Sequence, residues 1–288
     1  MELSKFHDFF GEMIGTAIIV LFGCGTVAVS VLFNSDLSLM EVALLWGITV
    51  SLAIYATRYL SCAHLNPAVS LGLVVAGRMS IRKIPTYLTA QFIGGFLAAF
   101  ILYFLFKDSI ALYENIHHIV RGSAESIKTA MMFGEFYPNP GAGDAASVTF
   151  IVAFFAEFLG TAFFMFFIMM LTHDCNIGGP GDSLTPLCIG FAIAVNIVLV
   201  ASLTQAGFNP ARDFSPRMVA YLMGWGDAAL AGGSFLSSIV VYVFGPIAGA
   251  STTAILFRFF IDKMMLDKSG GLLSSSSNTN KNTKCACK

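Results

Sequence analysis

The sequence predicts an all-α membrane protein of six transmembrane helices plus two re-entrant half-helices, built as an inverted repeat. Three observations carry that expectation. Of 288 residues, 56% are hydrophobic and only 11% charged, against roughly 25% charged in a soluble domain, and mean hydropathy is +0.77. Uninterrupted apolar runs stand near 9–33, 39–57, 84–106, 148–171, 184–203 and 235–261, each long enough to cross a hydrocarbon core of ~30 Å as a helix. Asn-Pro-Ala occurs twice, at 66–68 and 209–211, 143 positions apart and once in each half of the chain.

The first run follows Glu2, Lys5 and Asp8, with no basic start and no small-residue cleavage site, so it is expected to stay as a span rather than be removed as a signal peptide. Its sequence "FGEMIGTAIIVLFG" from Phe10 is echoed by "FAEFLGTAFFMFFI" from Phe155, which sets Glu157 145 positions after Glu12. The second run, "WGITVSLAIYA" from Trp46, is answered by "IGFAIAVNIVL" from Ile189. Each half therefore reads span, span, triplet, span. Three spans is an odd number, so the second half enters the membrane from the opposite side and a pseudo-two-fold axis lies in the membrane plane. Repeat one covers 6–106 and repeat two 148–261 within a single domain of residues 1–262. A polar stretch, 107–146, joins them, and its "NIHHIVRGSAESIKTAM" has helical character. His117 and His118 stand in it without a third ligand nearby, so no metal is expected. Residues 263–288 form a tail that turns Ser/Asn/Thr/Lys-rich from Ser274 and is expected to be disordered. Terminal Lys288 argues against prenylation of Cys285 or Cys287.

The segments after each triplet, Pro67 to about Gly77 and Pro210 to about Leu222, are apolar enough to enter the membrane and too short to cross it. Irregular backbone at that depth is tolerated only where protein buries it or a water-filled cavity faces it. Asn is a preferred N-cap, because its amide oxygen accepts an N–H of the first turn, and Pro fits the first helical position, where no donor is missed. Asn66-Pro67-Ala68 and Asn209-Pro210-Ala211 are thus helix starts. Meeting tip to tip, they would set two spare amide NH2 groups before two dipole ends of about half a positive charge each. A water held by both cannot easily pass a proton along the file. The stretches before the triplets, Cys62, Ala63, His64 and Leu65, and Gln205, Ala206, Gly207 and Phe208, are expected to be extended and to offer pore carbonyls on one wall.

Arg212, one residue past the second triplet, is expensive at membrane depth and is expected to face water. There it would donate to a permeating hydroxyl and repel cations. Glu12 and Glu157 repeat at equivalent positions, which suggests that they hold loop N–H groups rather than carry ions. Cys24, Cys62, Cys175 and Cys188 show no metal-ligand spacing and are read as packing thiols. The formal net charge of -1 gives no basic surface for nucleic acid. Lys and Arg gather on one side, at Lys5, Arg78, Arg82, Lys83, Arg258 and the tail, against Lys107, Arg121 and Lys128 on the other. By the positive-inside rule both termini are cytoplasmic.

"SCAHLNPAVSLGL", "GFNPARDFSPR", "HHIVRGSAES", "FYPNP" and "MGWGD" resemble the major intrinsic protein family of aquaporins and aquaglyceroporins, over about Phe9 to Phe260. Asp213, directly after Arg212, is similar to the mark of the bacterial glycerol-facilitator branch, where strict water channels carry Ser. The resemblance implies the aquaporin fold, a right-handed bundle assembled as a homotetramer in the plasma membrane, with one pore per subunit and no cofactor. It also implies a four-residue selectivity filter. Trp46 matches glycerol facilitators; Ile197 stands where those have Gly and water channels have His; Ala206 stands where they have Phe; Arg212 is unchanged. Losing the His polarity and the Phe bulk points to a looser hole than a typical glycerol facilitator has.

The function that follows is a passive channel for glycerol, other small neutral solutes and water, excluding protons and ions. Alternatives are a channel mainly for water, or for urea, ammonia or neutral metalloids. A proton-coupled secondary transporter would need a coupling site, for which the interior offers only Glu12 and Glu157. No nucleophile–base pair, metal cluster or phosphate loop supports an enzyme.

Overall fold

The computed structural model describes residues 3–33, 35, 37–142 and 147–273. Six of its helices are long and apolar enough to cross a membrane, in the order the apolar runs predict. In chain order the helices are α1 (Leu3–Leu32), α2 (Leu39–Thr57), α3 (Pro67–Val75), α4 (Ile84–Ile116), α5 (Ile127–Ala130), α6 (Phe150–Leu171), α7 (Gly181–Thr204), α8 (Pro210–Ala220), α9 (Phe235–Ile239), α10 (Gly245–Leu256) and α11 (Asp262–Leu273). Wide turns at Val240–Phe244 and Phe257–Ile261 join the last three, whose continuous span is Phe235–Lys268.

Three boundaries differ from the sequence expectation. Helix α4 runs to Ile116, past the end of the apolar run at 106. Hydropathy marks where lipid ends, whereas a helix satisfies its own backbone and continues into the polar layer. The chain is also helical through Leu273, so 263–273 is not the disordered segment expected there; the rest of the tail, with Cys285 and Cys287, lies outside the described residues. In the 107–146 stretch the expected helix is only α5, a single turn.

The two halves pack alike. Helix α1 lies on α4 as α6 lies on α10, and α2 crosses α7 near the pseudo-two-fold axis. Gly47 and Gly190 meet at that crossing, and a Cβ on either would collide with the other's carbonyl. Large apolar side chains such as Phe22, Leu52, Phe104, Phe163 and Leu199 face outward. Such a surface is stable only in hydrocarbon, so the chain is an integral membrane protein. The half-helices α3 and α8 enter between the spans from opposite ends and touch at their N-termini.

Candidate functional site

Each half-helix is preceded by a loop that a buried carboxylate holds. Glu12 Oε1 accepts from the His64 amide at 2.9 Å and the Ser61 hydroxyl at 2.8 Å, while Oε2 accepts from the Leu65 amide at 2.7 Å and Gln91 Nε2 at 2.8 Å. Glu157 repeats this, accepting from the Gly207 amide at 2.9 Å, the Phe208 amide at 2.8 Å and the Thr204 hydroxyl at 2.6 Å. Backbone so deep in the bundle has no water to satisfy it, and these two acids supply the missing acceptors.

The loops are not simply extended. Ala63 and Leu65 in the first, and Gln205, Ala206 and Phe208 in the second, have positive φ between 48° and 67°. Left-handed residues within each loop turn carbonyls away from the strict side-to-side alternation of a plain strand. Each such non-glycine residue costs about 1–3 kcal/mol, and the fixed amide–carboxylate bonds hold them in place.

Asn66 and Asn209 cap their helices: Asn66 Oδ1 accepts from the Ala68 amide at 2.9 Å, and Asn209 Oδ1 from Ala211 and Arg212 at 3.1 and 3.2 Å. Pro67 and Pro210 stand at the first position of each helix. The NH2 groups are not wholly spare. Asn66 Nδ2 donates to the Phe208 carbonyl at 2.9 Å and Asn209 Nδ2 to the Leu65 carbonyl at 2.8 Å. One hydrogen of each amide thus ties the opposite loop, and one remains for the lumen. The Leu65 and Phe208 carbonyls, expected in the pore wall, each also accept one bond from the opposite Asn.

A cavity of about 1010 Å3 runs along this seam. Trp46, Ile197, Ala206, Arg212, both Asn residues, and the backbone of 62–65 and 206–208 line it. Gln205 does not; its side-chain oxygen accepts from the Phe136 amide at 2.8 Å. The four filter candidates all line this cavity and are buried, and the Arg212 guanidinium lies 4.2 Å from the centroid of the Trp46 ring. Arg58, Arg78, His173 and Asp262 line it as well.

The sequence reading missed Glu135 and Arg217. Asp213 does not face the lumen: its Oδ1 accepts from the Glu135 amide at 2.8 Å and from Arg217 Nη2 at 2.6 Å, and its Oδ2 from Arg217 Nε at 3.0 Å. Arg217 continues to the carbonyls of Ala229 and Glu135, and the Glu135 carboxylate forms an ion pair with Arg212. Arg212 thus has an acidic partner that the sequence reading did not name. The available signal was an acid set between Gly134 and Phe136, just before "YPNP"; no periodicity says that such a loop folds inward. Cys24, Cys175 and Cys188 are free thiols, while Cys62 is disulfide-bonded and departs from its reading as a packing thiol.

Two inverted half-helices, capped by Asn66 and Asn209 and flanking one long cavity, define a membrane channel with internal two-fold pseudosymmetry. The major intrinsic protein family model matches residues 1–257, and the chain belongs to that family. It is 40% identical to a glycerol uptake facilitator protein of Haemophilus influenzae over 258 residues, covering 90% of this chain and 95% of that one. A glycerol uptake facilitator protein of Pseudomonas aeruginosa is 41% identical over 258 residues, 90% of each chain. A propanediol uptake facilitator of Salmonella typhimurium is 37% identical over 252 residues, 88% of this chain and 92% of the other. Among solved structures, the aquaglyceroporin from Plasmodium falciparum shares the fold, with a TM-score of 0.76 at 23% identity, over 91% of this chain and 98% of that one.

Proposed function

We propose that the protein is a passive channel conducting glycerol, other small neutral solutes and water while excluding protons and ions. The observation that carries this reading is the constriction, where Trp46 and Ile197 give an apolar wall and Arg212 a polar one along a cavity lined by loop backbone. A polyol has the same two sides, a carbon edge and a hydroxyl edge. The relatives named for glycerol and propanediol support a polyol as the principal solute. Ala206 and Ile197 in place of Phe and Gly alter the shape of the hole, and urea, ammonia and neutral metalloid hydroxides belong to its range. Glu12 and Glu157 commit their oxygens to loop amides and side chains, which argues against a coupling-ion site and hence against a proton-coupled transporter.

The distribution of Lys and Arg supports cytoplasmic termini, with the 107–146 segment outside. The family supports a homotetramer, each subunit with its own pore, in the plasma membrane.

Light scattering on proteoliposomes tests the reading. After a glycerol jump, vesicles holding the protein should re-swell quickly, linearly with the gradient and without regard to a proton gradient. Saturable flux that follows the proton gradient would sink the channel reading, and fast water flux without glycerol entry would convert it to a water channel.

A further inference from the structure

Glu135 lies in the loop between the repeats, yet it is 2% exposed and clamped from three directions. Its amide donates to Asp213 Oδ1, its carbonyl accepts from Arg217 Nη2, and its carboxylate pairs with Arg212 Nη2. The neighbours are shaped to the same end. A Cβ on Gly134 would stand 2.9 Å from the Arg217 guanidinium carbon, so a side chain there would press on that arginine where it reaches the Glu135 carbonyl. The Phe136 amide is tied to Gln205, and Asn139 Nδ2 donates to the Ala201 carbonyl at 2.7 Å. The loop is therefore stitched onto the second re-entrant segment, with one acidic side chain aimed at the back of the filter arginine.

Glu135 does not line the cavity, whereas Arg212 does. Two acids, Glu135 and Asp213, balance two cations, Arg212 and Arg217, in one buried cluster. We propose that Glu135 is a specificity-determining positioning residue: it neutralises and orients Arg212, so that the constriction selects by size and hydrogen bonding. This deepens, and rests on, the channel reading above. Conduction needs a site weak enough to leave. An arginine whose charge is balanced from behind holds a passing hydroxyl less firmly than a bare guanidinium, which keeps both water and polyol moving.

Glu135→Gln keeps the shape and one acceptor and removes the charge. In proteoliposomes at alkaline pH, its water and glycerol permeabilities should both fall by about threefold, equivalent to about 0.65 kcal/mol of added hold at the constriction, with glycerol falling more. Unchanged permeabilities in a correctly assembled variant would overturn the proposal. The second arm reads charge directly and does not need that variant alone to fold. Arg212→Ala strands the Glu135 carboxylate behind the lumen and should admit sodium or potassium, read as a cation leak, while Arg212→Ala with Glu135→Gln should close that leak. A leak that persists in the double variant, or no leak in the single one, counts against Glu135 as the balancing charge. If the wild-type protein passes water but no glycerol, the polyol reading fails, while the water and cation readouts still decide the role of Glu135.

Discussion

The two re-entrant segments share a scaffold and differ in what they carry. Both have a buried glutamate accepting from loop amides, left-handed residues before the triplet, an Asn cap, and an amide bond to the opposite loop. At the shared offset of 143, however, Val69, Ser70 and Val74 stand where the second half has Arg212, Asp213 and Arg217. In the first half, Ser70 receives a bond from Gln91 Nε2 at 3.0 Å; in the second, a charged cluster reaches across to the loop at 133–139. The shared parts place two helix tips at mid-depth. The unshared parts set Arg212 and its buried charged partners on the second segment only, so an almost symmetric fold carries its charge on one side of the pseudo-two-fold axis.

The sharpest way to break the comparison is to remove the charge that only the second half carries. Arg217 is 1% exposed and supplies bonds to Asp213, Ala229 and Glu135. Arg217→Met would leave Asp213 a buried carboxylate without its closest cation, at a cost of about 3–5 kcal/mol. Val74→Ala, at the matching place in the first half, removes two methyl groups from a half-buried site and should cost about 1 kcal/mol. Thermal unfolding in detergent should show a large drop for the first and a slight one for the second. Equal drops would mean that the cluster contributes nothing special to holding the second segment.

A smaller effect is expected where the halves match in residue type and differ in surroundings. Ala63 and Ala206 are equivalent by offset and both adopt positive φ, 48° and 67°. Only Ala206 is proposed to belong with Trp46 and Arg212 in the filter. Ala206→Phe should depress glycerol permeability by about tenfold, the equivalent of about 1.4 kcal/mol, and water permeability less. Ala63→Phe, on the far side of the Asn pair, should change the glycerol-to-water ratio little. Stopped-flow shrinkage and re-swelling of the same vesicles give both rates; a ratio shifted equally by the two variants would move the constriction away from Ala206.

Much of this was legible in the sequence, because the membrane enforces a coarse grammar. Apolar runs must be spans, an Asn-Pro pair at that depth must start a helix, and repeated acids such as Glu12 and Glu157 must answer to backbone. Trp46, Ile197, Ala206 and Arg212 came as a set from the family resemblance, and the structure places all four along one cavity. The membrane's rules fail where the chain is irregular. The alternating left-handed residues leave no pattern in "CAHL" or "QAGF", and their positive φ is a product of the tertiary bonds rather than of propensity. The bond from each Asn to the opposite loop requires knowing that two tips touch. Glu135 belongs to a loop whose inward fold is decided by Asp213 and Arg217, residues far away in sequence that read, without the structure, as a polar helix face.

The asymmetry can also be sharpened by pH, with the smallest effect of the three. Burial pushes the Glu135 carboxyl up to about 8, with Arg212 the strongest influence in the other direction. The charged groups that bear on it are Arg212, Asp213 and Arg217 from α8 and Glu157 from α6, with the Cys24 thiol of α1 also in range. A raised acid is ionised only above its own pKa, so the balanced pair is present on the alkaline side and is lost as pH falls through it. Protonation then leaves Arg212 uncompensated, the same change that Glu135→Gln makes permanently. Water and glycerol permeabilities of the wild-type protein should therefore decline by about threefold as pH falls from about 9 to about 6 and this carboxylate takes up its proton. The Glu135→Gln variant should be flat across that range and lie at the low plateau. A decline of the same size in the variant would assign the titration to another group, because the only charge removed is the one under test.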